Sequence, residues 1–154
     1  MSNLTETQQT YVDRLRRFLG DSAELNDLLE KQESSDWFLS DCIDDAIVEI
    51  NHMGYLTEYS IADLPGDLPW PLVKLGATLQ VLIGKGILSA RNVLTYNDQG
   101  GVQVSDTDVY GRYINYFNLL INSYREQVRQ WKTQMSINGA YGEYSSELDQ
   151  SWWW

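Results

Sequence analysis

The sequence predicts a mainly α-helical fold. It reads as a helical bundle around a central apolar helix (about 70–92) and a long C-terminal helix (about 107–137), with one small β-hairpin (about 93–104) and an extended C-terminal tail. Three observations predict this. First, WPLVKLGATLQVLIGKGILSARN, residues 70–92, is the most apolar run in the chain. It places Leu72, Val73, Leu75, Leu79, Val81, Leu82, Ile83, Ile87 and Leu88 around nearly the whole circumference of a helix. Second, Tyr110, Ile114, Phe117, Ile121, Tyr124, Val128, Trp131 and Met135 recur at alternating spacings of four and three, the seam of a helix packed along its length. Third, residues 139–154 hold no sustained period and end in Trp152, Trp153 and Trp154. The expected organisation is one helical domain, 1–138, followed by a tail, 139–154.

Each element has a local reason. Residues 5–19 form an amphipathic pattern that Thr5 or Thr7 can cap, with Tyr11, Leu15, Phe18 and Leu19 on one face and Gly20 as its stop. Asp21 and Ser22 can restart a short helix through Leu28 and Leu29, and KQESS reads as a polar connector. Ser35 or Asp36 caps the next helix, about 36–53. There Leu39, Ile43, Ala46, Ile47, Ile50 and Met53 share one side, while Asp41, Asp44, Asp45, Glu49 and His52 crowd the other. Gly54 ends it. Residues 55–68 read as a connector with a Pro65-Gly66 turn and a short extended piece at 56–61. Pro69 and Pro71 suit the first turn of the central helix, where no donor is needed. In that helix Lys74 and Lys85 bound an uncharged run about half as long as the roughly 20 residues a bilayer requires, so it reads as the centre of a core rather than a membrane span. Val93–Tyr96 and Val102–Val104 flank NDQGG, a hairpin signal. Such a hairpin needs a partner, because a lone one is marginal in water. Asp106 or Thr107 caps the last helix, whose predicted length of about 45 Å exceeds what a compact domain of this size needs. Tyr113, Tyr116 and Leu120 lie off its seam as a second contact surface.

Charge narrows the function classes. Of the net −11, residues 1–67 carry fifteen acids against four bases, whereas residues 68–154 carry seven of each. Phosphate backbones are held by cations that release counterions, so direct nucleic-acid binding is disfavoured and a DNA-repelling face is not. The opening residues carry no basic or twin-arginine signal and no apolar anchor, which predicts a soluble protein off the usual secretory route. A single cysteine, Cys42, rules out an internal disulfide framework.

Catalytic chemistry finds little footing. One His and one Cys, His52 and Cys42, lie ten residues apart on different faces of one helix, which reads as a surface imidazole and a packed thiol rather than a zinc or nucleophile site. The carboxylates Asp41, Asp44, Asp45 and Glu49 lack the backbone oxygens and glycine turn of a calcium loop, so they read as a solvated or lumen-facing stripe. GKG at 84–86 lacks the spacing of a phosphate loop. No enzyme activity, metal or cofactor is expected. Arg125, Arg129 and Lys132 either meet an acidic partner or keep the helix soluble, the second being favoured. The terminal tryptophans are different: indoles bury much area with few torsions to freeze, and they give nothing unless covered. Docking on another subunit or protein is favoured over folding back.

Residues 36–55 (DWFLSDCIDDAIVEINHMGY), 72–106 (LVKLGATLQVLIGKGILSARNVLTYNDQGGVQVSD) and 110–130 (YGRYINYFNLLINSYREQVRQ) together resemble virion structural proteins of tailed bacteriophages. Within that group they are most similar to the head–tail connector, or adaptor, proteins of the neck. The resemblance lies in helix order and local wording over most of 36–145. It implies a small helical protein that assembles, after synthesis in the host cytoplasm, as a twelve-fold ring under the portal of the virion. Such a ring extends the DNA channel and docks the next neck or tail protein. DNA passes without specific binding, no membrane is involved, and there are no catalytic residues to carry over. By this resemblance the C-terminal segment binds the portal, with Tyr141, Tyr144, Trp152, Trp153 and Trp154 as anchors. The hairpin residues Tyr96, Asn97, Asp98, Gln99, Gly100 and Gly101 would contact a neighbouring subunit or the next ring. Asp41, Asp44, Asp45 and Glu49 would face the channel. Two other readings stand beside it: another neck or tail-completion (stopper) protein, whose fold would carry more strand, and a cytoplasmic helical protein-binding module whose tail docks a regulator.

Overall fold

A computed structural model describes the backbone of residues 4–22, 32–91, 96–97, 103–104 and 107–141, with side chains described over 4–22, 32–88 and 111–140. The fold is mainly helical, with α1 (Glu6–Leu19), α2 (Asp36–His52), α3 (Trp70–Arg91) and α4 (Thr107–Tyr141) in chain order.

Helix α3 is the middle layer, and α2 and α4 both pack against it antiparallel. A methyl group placed on Gly84 would lie 2.9 Å from the Phe38 ring, and one on Gly76 would lie 3.0 Å from Ala46 Cβ, which fixes the α2 register. On the α4 side, Gly86 faces Tyr113 and Gly76 faces Tyr124. The core is the set of side chains these three helices share with α1 and with the connector before α3. It contains Val12, Leu15, Leu39, Ile43, Ile50, Leu68, Val73, Leu79, Tyr124 and Val128, all fully buried.

α1 begins at a capping box in which Thr5 and Gln8 satisfy each other's backbone donors, and it ends at Gly20, whose φ of 68° is left-handed. Its inner face differs from expectation at two places. Phe18 is exposed, with Lys74 Nζ 4.2 Å from its ring centre, while Val12 and Arg16 are buried in its stead. Arg16 is a clamp. It donates to Ser34 O from both terminal nitrogens at 3.0 Å, to Asp21 O at 3.1 Å and to Asp36 Oδ1 at 2.6 Å. The Asp21 carboxylate is engaged in the same knot, accepting from Glu33 N at 2.7 Å and Ser34 N at 3.0 Å. Burial works to raise its pKa, but these donors outweigh burial and hold it below 3.8. Asp21 thus closes the loop from α1 to α2. The short helix expected after it, through Leu28 and Leu29, lies outside the described residues.

Ser35 caps α2, and Met53 with Gly54 (φ 74°) ends it. The connector carries a 3-10 turn at Ile61–Asp63, where Ser60 and Asp63 form their own capping box, and Ser60, leading into it, is extended (φ −129°, ψ 175°). Asn51 ties the connector down: its side chain donates to Tyr59 O at 2.8 Å and accepts from Tyr59 N and Thr57 Oγ1. That places the Tyr59 ring 5.5 Å from Trp131 of α4.

Three expectations need correction. α3 is not buried all round: Ile83, Ile87 and Leu88 are exposed among the described residues. The stretch Trp70–Leu88 is long and apolar enough to cross a membrane by length and composition, yet its first half is core. The reason is register. Phe38 meets Gly84, so α2 begins near that level and offers nothing to cover Ile87 and Leu88. Second, the hairpin expected over 93–104 is not seen as such. Tyr96–Asn97 (β1) and Gln103–Val104 (β2) lie antiparallel, with Tyr96 opposite Val104 and Asn97 opposite Gln103, and residues 93–95 and 98–102, including Asp98, Gln99, Gly100 and Gly101, lie outside the described residues. Third, α4 runs past Ile137 to Tyr141, about 52 Å for its 35 residues. Gly139 costs the helix about 1 kcal/mol but does not break it, so residues 139–141, expected in the tail, are helical.

The close approach at Gly76 makes a prediction. A Cβ there would lie 2.6 Å from Tyr124 Oη and 3.0 Å from Ala46 Cβ. Overpacking by about 1–3 kcal/mol outweighs the helix-propensity gain of about 1 kcal/mol, so Gly76→Ala lowers the urea midpoint. Gly139→Ala, with nothing within 4 Å, raises or preserves it.

Candidate functional site

Three surfaces are candidates, all outside the core. The first is the far end of α4. Lys132 is the last buried residue of the helix among those whose side chains are described, only 3% exposed. Its ammonium donates to Tyr55 O at 2.8 Å and to Asn51 O at 3.2 Å, and sits 5.1 Å from the Tyr55 ring centre. Tyr55 Oη donates back to Lys132 O at 3.1 Å. Burial lowers the Lys132 pKa below 10.5. Neither role expected for Lys132, partner contact or solubility, fits a buried clamp; Arg125 and Arg129 beside it are exposed.

Every residue from 133 to 140 is exposed, and residues 133–142 contain no charged side chain. Thr133, Ser136 and Ile137 still flank the body, lining with Met53, Gly54, Tyr55, Arg129 and Lys132 an open groove of about 390 Å³. Gln134 Nε2 donates to Asn138 Oδ1 at 3.0 Å, one turn on, which stiffens the arm from within. Met135 and Ile137 are exposed on it. α4 is described as far as Tyr141; Tyr144, Trp152, Trp153 and Trp154 lie outside the described residues.

The second surface is the outer side of α2. Asp41, Asp44 and Asp45 do cluster: Asp44 is raised above 3.8 by burial first and then by Asp41 and Asp45. Glu49 does not belong with them in full, because Gln80 Nε2 of α3 reaches it at 3.3 Å. The face is not a plain acidic stripe. Trp37 and Val48 are 45% and 53% exposed, and Trp37, Asp41, Asp44 and Val48 follow one another at spacings of four, three and four. That spacing was the signal in the sequence. Cys42 lies behind this face, buried, and burial followed by Asp45 and Asp41 pushes its thiol up from 9.0 to about 12. His52 is exposed, its Nδ1 2.8 Å from Val48 O. Among the described residues no group of His, Cys, Asp and Glu is placed to hold a metal ion.

The third surface is the other end of α4 with α3. Leu82, Ile83, Ile87, Tyr113, Ile114 and Phe117 line an apolar groove of about 210 Å³. Of the off-seam residues, Tyr113 turns into this groove and Leu120 packs on the core, whereas Tyr116 faces outward with Leu119, at 59% and 73% exposed. Leu119 falls outside the register of the Tyr110–Met135 seam, which is the signal in the sequence that it faces away from the core.

Two outcomes follow. Cys42 in the native chain resists iodoacetamide at pH 8 and reacts fully once urea unfolds the protein, because nucleophilicity needs the thiolate; rapid native labelling would contradict the burial. Lys132→Ala lowers stability by about 2 kcal/mol in urea titration, having removed charge-assisted bonds to two carbonyls. No protein-family model matches this chain, and neither a curated protein nor a solved structure does.

Proposed function

We propose that this chain is a structural subunit of a tailed-phage virion: a head–tail adaptor that forms a ring beneath the portal, extends the DNA channel and links head to tail. The observation that carries this reading is the arm of α4. A helix end with little packing is marginal in water, and an exposed segment normally carries charge to stay soluble. Residues 133–141 extend about 13 Å beyond the Lys132 clamp, carry no charge, and lead into thirteen more residues that include Tyr144 and the three terminal tryptophans. Such an arm suits delivery of an aromatic anchor to a second protein. At about 3.3 Å per residue the thirteen residues span up to roughly 43 Å, enough to reach an adjoining ring.

The remaining parts are consistent with a conduit. A chain of net charge −11 does not adhere to DNA that slides past it. The partners are other copies of the chain, the portal through residues 142–154, and the next neck or tail protein at the opposite side of the ring. The chain acts by holding parts together rather than by catalysis, and its place is the virion neck.

The test is a pull-down of portal protein with the intact chain, with a chain ended at Tyr141, and with Trp152, Trp153 and Trp154 replaced by Ala. Loss of buried tryptophan anchors weakens binding by tenfold or more, at about 2 kcal/mol for each hot spot. Equal capture by the shortened chain would overturn the anchor assignment.

A further inference from the structure

The apolar groove between α3 and α4 has no cover among the described residues, and Ile83, Ile87 and Ile114 in its walls are exposed. An apolar cavity of about 150 Å³ takes up a benzene ring, so a groove of about 210 Å³ has room for an indole. From Ile114 a line leads down one flank of α4. Ile114, Asn118, Arg125, Arg129 and Ser136 follow one another at spacings of four, seven, four and seven, each close to whole turns of the helix. All five are exposed. Arg129 and Ser136 also line the second groove, against Met53 and Tyr55, so the line joins the two grooves. Glu126, the one acid between residues 111 and 140, lies off it and accepts from Gln130. The chain beyond Tyr141 fits this line in length and in charge. It has thirteen residues, holds Glu143, Glu147 and Asp149 with no base, and ends in three indoles. Reversed at Gly142 and extended at about 3.3 Å per residue, it sets Glu147 at about 17 Å and Asp149 at about 23 Å from the reversal. Arg129 and Arg125 lie about 18 and about 24 Å back along the helix from Tyr141. Trp152 to Trp154 then fall at about 33–40 Å, beside Phe117 at about 36 Å and Ile114 at about 40 Å.

We propose that in the free chain residues 142–154 fold back along this flank of α4, with Glu147 and Asp149 on Arg129 and Arg125 and one terminal tryptophan seated in the groove at Ile83, Ile87 and Ile114. Uncovered indoles cost solubility, and this groove is an uncovered apolar surface within the tail's reach. Tethering favours the contact, because a segment joined to its own seat meets it at an effective concentration on the order of millimolar. The seat is also one the tail can leave. It takes one indole of three, and exposed ion pairs add little. A partner that covers all three indoles displaces it. This deepens the portal reading by giving the tail a resting place, and it rests on that reading only in naming the portal as what displaces the tail. Until then the aromatic end is withheld from other surfaces.

The test reads the tail indoles as the difference in tryptophan emission between the full-length chain and a chain ended at Tyr141. A docked tail gives a difference spectrum shifted to the blue of free tryptophan and less quenched by acrylamide. Ile87→Glu, at an exposed position in the groove wall, releases the tail and moves that emission to the red. Arg125→Glu with Arg129→Glu does the same through like-charge repulsion, and adding Glu147→Arg with Asp149→Arg in the same chain restores the blue shift. Circular dichroism confirms that each variant is folded. A wild-type difference spectrum matching free tryptophan overturns the proposal. So does a blue shift that survives Ile87→Glu, which means that another segment covers the groove or that the indoles sit elsewhere. Mixing the Ile87→Glu chain with the chain ended at Tyr141 restores nothing; a blue shift regained there seats the tail on a second copy and overturns the proposal too. Portal capture is read separately. The Ile87→Glu chain captures portal more tightly than wild type, about tenfold for a tail docked about nine-tenths of the time, and equal capture overturns the competition between seat and portal. Lost portal capture with the blue shift intact sinks only the portal reading, and free indoles with capture intact sink only the resting seat.

Discussion

The body of this protein depends on how closely three helices meet at Gly76. The absent side chain lets Tyr124 of α4 and Ala46 of α2 reach the same point on α3. A close-packed interior tolerates little change in volume, and here the volume is set by a missing methyl group. The Tyr124 hydroxyl lies in this crossing without a hydrogen-bond partner among the described residues, and burial, followed by Glu49, drives its pKa well above 10. Unpartnered buried hydroxyls cost about 1–3 kcal/mol. The ring is retained there because its bulk fills the crossing, so the position is a compromise between packing and polarity.

From that crossing the rest follows by register. Antiparallel α2 and α3 are set at Ala46–Gly76 and Phe38–Gly84, so α2 runs out before α3 does. Antiparallel α4 and α3 are set at Tyr124–Gly76 and Tyr113–Gly86, so α4 outruns the start of α3 at its own C-terminal end. One offset therefore generates both unusual surfaces: the apolar groove at Ile83, Ile87 and Phe117, and the uncharged arm after Lys132. The buried polar clamps, Arg16 at one end and Lys132 at the other, hold the connections where the helices themselves do not touch.

Much of this was legible in the sequence. Helix existence followed from periodicity, the caps at Thr5 and Ser35 from residue type, and the α2 core face from the spacing of Leu39, Ile43, Ala46, Ile47 and Ile50. What was not legible depended on partners distant in sequence. Phe18 and Arg16 look like one inner and one outer residue on a helical wheel, yet the carbonyls of Asp21 and Ser34 reverse them. Lys132 reads as a solubilising charge until Asn51 and Tyr55 are brought beneath it. Exposure of Ile87 and Leu88 is a matter of how far α2 extends, which no local pattern states. Of the candidate surfaces, the acidic cluster was visible as a run of aspartates, whereas the exposed Trp37 and Val48 within it required the fold.

The Lys132 clamp has a mechanical meaning. A pull on the end of α4 travels along its backbone and enters the body at Lys132, where two carbonyl bonds pass it to the final turn of α2 and to Tyr55. Because α2 and α4 both flank α3 antiparallel, that load arrives as shear spread over the helix interfaces, not as peeling of a single turn. A load on the exposed end of α4 is thereby handed to two other segments of the body before it reaches the core.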